Sequence, residues 1–177
     1  RIFMTPRDRA VAVTIVNESD EPVVMQADLY TWKQKPDGSD ELELTEDLIL
    51  TPPILKLEPR GRQVVRLARL TPPPGAVQQT YRMIVREIPE ARSGGQVQLQ
   101  VALAFSLPVF ITPNGARRDL RCGLERSAAG TVRAVCSNAG NAYTQIRELD
   151  VTDAAGQRLA VRDQGGYILP SIQRSFD

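Results

Sequence analysis

One stretch limits this chain more than any other: Gln96-Val97-Gln98-Leu99-Gln100-Val101-Ala102-Leu103-Ala104-Phe105-Ser106-Leu107. Every odd position from Val97 to Leu107 is large and apolar, and every even position is Gln, Ala or Ser. A helix would smear those two sets around its axis. A strand sends them to opposite faces. At about 3.4 Å per residue, residues 97–107 reach about 37 Å, whereas the usual strand has only about 5–6 residues. No charge interrupts the run, and the first proline is Pro108. Natural edge strands carry Lys, Pro or a bulge to prevent pairing with other chains. Two readings follow. The segment is either a central sandwich strand paired on both sides, or an open edge that pairs with another protein and sets alternate side chains into its pockets. The polar segment Glu90-Ala91-Arg92-Ser93-Gly94-Gly95 before it suits a loop.

The same period recurs elsewhere. Val11, Val13 and Ile15 line one face of a strand that ends at Asn17, and Glu18 to Pro22 turns the chain. Val23 to Trp32 reads as a strand closed by Lys35-Pro36-Asp37-Gly38, where Pro presets φ and Gly permits a positive φ. Leu48 to Leu50, Gln63 to Leu70 and Tyr81 to Ile88 follow, each stopped by proline-containing turns. Short strands separated by turn chemistry predict an all-β sandwich. Pro113-Asn114-Gly115 breaks the pattern and marks a domain boundary. The expected domains are 1–113, with a long strand over 96–111, and 114–177. In the second, Leu120 to Glu125, Thr131 to Cys136, Gln145 to Val151 and Arg158 to Val161 read as strands. Another begins just before Asp177, so this domain reads as incomplete as given.

The only cysteines, Cys122 and Cys136, flank the turn Ser127-Ala128-Ala129-Gly130 symmetrically about Ala129. Antiparallel pairing about that point sets them opposite each other, at a separation that a disulfide can bridge. A disulfide there implies an oxidising compartment. Two buried free thiols are the alternative.

Composition excludes several function classes. The chain has 177 residues and no histidine, so the commonest neutral-pH acid/base and metal ligand is missing. With two cysteines as well, no metal site and no cofactor are expected. Lys and Arg number 22 against 21 Asp and Glu, which is not the excess of a polyanion binder. Arg60, Arg62, Arg66 and Arg69, or Arg117, Arg118 and Arg121, read as solvated faces, so no nucleic-acid partner is expected. There is no Gly-x-Ser-x-Gly elbow and no phosphate-binding glycine loop. The pairs Asp150 with Asp153 and Glu46 with Asp47 fit a turn and a solvated face. The chain is expected not to be an enzyme.

Taken in order, the pieces resemble the PapD-like periplasmic pilus chaperones of the chaperone–usher pathway. The resemblance runs from Arg1-Ile2-Phe3 and the strand ending at Asn17, through Asp20-Glu21-Pro22-Val23, Leu29-Tyr30-Thr31-Trp32, Leu50-Thr51-Pro52-Pro53 and Leu57-Glu58-Pro59, to Gln63-Val64-Val65-Arg66-Leu67. Its most specific element is Tyr81-Arg82-Met83-Ile84-Val85-Arg86-Glu87-Ile88-Pro89, followed after a loop by the alternating strand. The stretch Phe105-Ser106-Leu107-Pro108-Val109-Phe110 is similar to the archaic or alternative branch, which builds thin pili related to spore-coat-U-type proteins.

The resemblance implies two immunoglobulin-like β-sandwich domains set at an angle, with a cleft between them. It implies location in the periplasm, with pilin subunits and an outer-membrane usher as partners. Donor-strand complementation then assigns Val97, Leu99, Val101 and Leu103 to the client's groove, with Phe105 and Leu107 nearer the cleft. Self-association through the same strand is a further expectation. Arg1 matches the arginine that anchors the client's C-terminal carboxylate, and a planar guanidinium suits that task. Two positions depart from the family. Pro108 stands where many members carry a lysine, and Thr112-Pro113 where arginine often precedes the proline. Arg86, Arg117 and Arg118 are the substitutes considered for the missing lysine. Glu87 is expected to be a structural ion-pair residue near the domain junction. An extracellular immunoglobulin-like adhesion or structural domain is the competing reading; it would have a closed edge and bind through its loops.

Overall fold

Period-two alternation governs the architecture. The computed structural model describes residues 1–89, 102–126, 128–162 and 165–176, and their regular structure is all strand. Two compact units result. Unit 1 comprises Arg1–Trp32, Leu42–Pro74 and Gln79–Ile111; unit 2 comprises Lys33–Glu41, Gly75–Gln78 and Thr112–Asp177.

The first nine strands are β1 (Ile2–Met4), β2 (Ala10–Val16), β3 (Val23–Gln34), β4 (Asp40–Leu44), β5 (Leu48–Thr51), β6 (Ile54–Leu57), β7 (Arg62–Arg69), β8 (Gln79–Glu87) and β9 (Ala104–Ile111). One sheet runs β1-β9-β8-β3-β4, with β6 also on β3, and a second runs β2-β7-β5. Odd residues of β3, β6, β8 and β9 and of β2 and β7 face the core, with even residues Met4, Leu48 and Leu50 doing so from β1 and β5. Leu29, Met83, Val85 and Val109 from the first meet Val65 and Leu67 from the second, and none is more than 6% exposed. Each large aliphatic side chain buried this way contributes about 1.5–3 kcal/mol. Val11, Val13 and Ile15 pack on this core from β2, as their spacing predicts.

Unit 2 holds β10 (Leu120–Arg126), β11 (Val132–Asn138), β12 (Thr144–Ile146), β13 (Leu149–Thr152), β14 (Arg158–Arg162), β15 (Gly166–Ile168) and β16 (Gln173–Phe176). They form the sheets β10-β11-β16, β12-β15 and β13-β14. Ala134, Cys136, Ile146, Ile168 and Phe176 make its core. The single strand expected over Gln145 to Val151 is two strands instead. The chain breaks at Arg147-Glu148 because β12 pairs with β15 while β13 pairs with β14.

Cys122 pairs with Cys136 in register and the two form a disulfide. The alternative of two free thiols is thereby set aside. The turn between them includes Gly130, whose φ of 85° is a conformation that glycine adopts freely.

Each unit pins a turn with a buried asparagine. The Asn17 amide donates to the carbonyl of Glu21 at 2.7 Å, while its oxygen accepts the N–H of Ser19 at 3.1 Å. Asn138 repeats the pattern at the same offsets, donating to Ala142 at 2.8 Å and accepting from Gly140 at 2.9 Å. An amide buried this deeply stays only if its polar atoms are satisfied, so both turns are held firmly.

Candidate functional site

β9 is the strand that the alternation singles out. Its register with β8 runs from Gln79↔Ile111 to Arg86↔Ala104. One step further, the N–H of Glu87 donates to the carbonyl of Leu103 at 2.8 Å. In an antiparallel ladder hydrogen-bonded pairs alternate, so the odd residues of β9 turn their backbone groups toward β8. Residues 104, 106, 108 and 110 turn theirs away. On that side β1 runs parallel to β9, but only from Ile2↔Val109 to Met4↔Ile111. Ala104 and Ser106 therefore aim their N–H and C=O toward a side where no described strand pairs with them. Among the described residues, β9 is a central strand at one end and an edge strand at the other. Pro108 sits at the seam and does not stop the strand, because its nitrogen faces away from β8 and the ladder needs no donor there.

The side chains make the same transition. Val109 and Ile111 are wholly buried, and Leu107 packs against the core. Two residues back along the same face, Phe105 is 52% exposed, and Leu103 is 54% exposed. The core face of the sheet thus continues into solvent as an apolar edge, although Val85, opposite Phe105 on β8, is buried. Val97, Leu99 and Val101, the other residues assigned to this face, lie outside the described residues.

Two arginines flank the seam. Arg1 precedes Ile2, so one step back in the β1 register it falls beside Pro108. On the other flank Pro108 pairs with Arg82. Arg1, Pro108 and Arg82 thus form one row across three strands, with the outer two backbones about 10 Å apart. The Arg82 guanidinium carbon lies 3.8 Å from the Trp32 ring centroid, a cation–π stack. Trp32 and Phe3 in turn pack on Phe110.

Arg86 is four residues along β8, opposite Ala104. It donates to the Tyr30 hydroxyl at 3.4 Å and pairs with Asp28 at 3.5 Å. The Tyr30 contact first, and Asp28 behind it, push its already high pKa further up. Arg117 and Arg118 belong to unit 2, where Arg118 lies 5.0 Å from the Tyr143 ring centroid. Arg82 was not among the substitutes read from the sequence. Only the β8–β9 register reveals that it neighbours Pro108.

The expectation for Glu87 needs correction. The junction end of β8 is Gln79, paired with Ile111, and Glu87 is at the opposite end. Its carboxylate accepts the N–H of Leu103 at 3.3 Å.

The profile of the pili and flagellar-assembly chaperones, PapD N-terminal domain, matches residues 1–117. An uncharacterized fimbrial chaperone, YbgP of Escherichia coli K12, is 32% identical over 125 residues, covering 67% of this chain and 48% of that protein. The chain spans about half the length of the curated relatives it matches. Among solved structures, the YadV chaperone superposes with a TM-score of 0.73 at 18% identity, covering 99% of this chain and 80% of that one. The CsuC–CsuE chaperone–tip adhesion subunit pre-assembly complex, from the archaic chaperone-usher Csu pili of Acinetobacter baumannii, gives 0.72 at 19% identity, covering 98% and 82%. At these identities the structural likenesses speak to the fold, that of PapD-like chaperones with two immunoglobulin-like domains.

Proposed function

Because the chain belongs to the PapD-like family of pilus-assembly chaperones, we propose that it captures pilin subunits in the periplasm by donor-strand complementation and delivers them to an outer-membrane usher. The observation that carries this is the one-sided pairing of β9 where Phe105 and Leu103 stand exposed. An incomplete subunit sandwich exposes an apolar groove and unpaired backbone groups. A strand with free N–H and C=O groups on one edge and large side chains at every second residue supplies both needs. No bond is made or broken, so the role needs no catalytic group and no cofactor.

The donor residues of this reading are Val97, Leu99, Val101 and Leu103, with Phe105 and Leu107 at the root. The domains are 1–113 and 114–177, and the branch is the archaic or alternative one. Arg1 anchors the client's terminal carboxylate. Arg82, which the register sets directly beside Pro108, takes the place of the lysine absent there, whereas Arg86 lies four residues further along β8. A guanidinium lying over an indole face still points its N–H donors outward in its own plane, where a carboxylate can meet them.

Co-expression with each candidate pilin and purification of the chain from periplasmic extracts tests the reading. A one-to-one complex is expected, with the outward-facing amides of Ala104 and Ser106 protected from exchange only when the pilin is bound. A lone monomer with every candidate, its edge already protected, would point to a closed adhesion or structural domain.

A further inference from the structure

Glu87 is the last residue of β8, one step past the Arg86↔Ala104 end of the ladder with β9. The next N–H, of Ile88, donates to Val24 on β3, and Pro89 has no N–H to give. At this final position both polar groups of Leu103 are taken by one residue. The Glu87 N–H holds the Leu103 carbonyl at 2.8 Å, and the Glu87 carboxylate holds the Leu103 N–H at 3.3 Å. In a regular ladder that N–H would go to the carbonyl opposite. Here a charged side chain substitutes as the acceptor, through a long, solvent-exposed bond. Leu103 itself is half exposed, so packing alone does not fix it.

We propose that Glu87 is the positioning residue of the donor strand. It clamps Leu103 and so sets the register and the point from which the segment is presented. This rests on the donor-strand reading above, since only a strand offered to a partner needs its root fixed while its edge stays open. A one-residue slip would turn every apolar side chain to the wrong face. A clamp on N–H and C=O together opposes that slip at the one place where packing cannot.

Backbone amide exchange on the chain alone tests it, with wild type, Glu87→Ala and Glu87→Gln. In Glu87→Ala the Leu103 amide should exchange about tenfold faster, while those of Met83 and Leu107 keep their wild-type rates. Glu87→Gln retains an acceptor oxygen and should restore most of the protection. Equal Leu103 rates in wild type and Glu87→Ala would overturn the proposal. So would acceleration across all of β8 and β9, which would make Glu87 a general stabiliser. Neither result depends on a client. A wild-type chain that captures no pilin would instead overturn the functional reading and leave the clamp measurement intact.

Discussion

Leu103 and Gly38 show how differently single residues are constrained. Leu103 lies on the apolar face of the alternating strand but is 54% exposed, so the free fold gains little from it. Leu103→Glu should shift stability by no more than about 0.5 kcal/mol, as surface changes usually do. It should nevertheless abolish pilin capture, because a carboxylate in a client's apolar groove is buried without a partner. Chemical denaturation beside periplasmic co-purification separates the two effects; capture at wild-type yield would remove Leu103 from the donor face. Gly38 is constrained from two sides. Its φ is 81°, and a Cβ would fall on the Arg174 side chain, which is pinned by hydrogen bonds to the carbonyls of Gly165 and Tyr167 at 2.8 and 2.9 Å. Gly38→Ala should cost unit 2 about 1–3 kcal/mol, read from its unfolding transition. A loss below that range would mean that Arg174 yields without giving up its bonds.

At the scale of elements, what the sequence revealed was periodicity and what it hid was pairing. β2, β7 and β8 were legible because odd apolar residues must share a face. The Cys122–Cys136 hairpin was legible because its turn lies at the midpoint. β1, β4 and β6 were not, since three to five residues are too few to show a period. The neighbours of Pro108 were hidden for another reason: Arg1 and Arg82 reach it through a parallel and an antiparallel register, and no local spacing encodes either. β10 shows how little burial a strand can have. All of its residues are exposed, and β11 is its only partner among the described strands. The disulfide closes a loop with a sequence separation of 14 residues, for which chain entropy predicts about 3 kcal/mol. Replacing both cysteines by alanine should lower the stability of unit 2 by about that amount in urea unfolding, and leave the transition of unit 1 in place. An unchanged unit 2 would show that its ladder with β11 holds β10 unaided.

For the whole molecule, the open edge poses a problem of solubility that the chain must solve before it meets a client. Phe105 and Leu103 are about half exposed, so burying the remainder of both against a second copy would yield about 1.5–3 kcal/mol together. Association costs at least about 4 kcal/mol in lost freedom. Those two side chains fall short of the lower bound and need the backbone bonds of the edge beside them, so self-association through this edge should be weak and reversible. On the donor-strand proposal, a client with a vacant groove would accept more of the alternating face, back to Val97, and complete its own core. Its complex should therefore outcompete the homotypic one. Sedimentation velocity over a concentration series reads this directly. The wild-type chain should move from monomer toward dimer as concentration rises, Leu103→Glu should stay monomeric throughout, and added pilin should shift the wild type into a one-to-one complex at concentrations where the dimer is absent. A tight dimer that persists in Leu103→Glu would locate the association surface away from β9 and leave the edge free for clients alone.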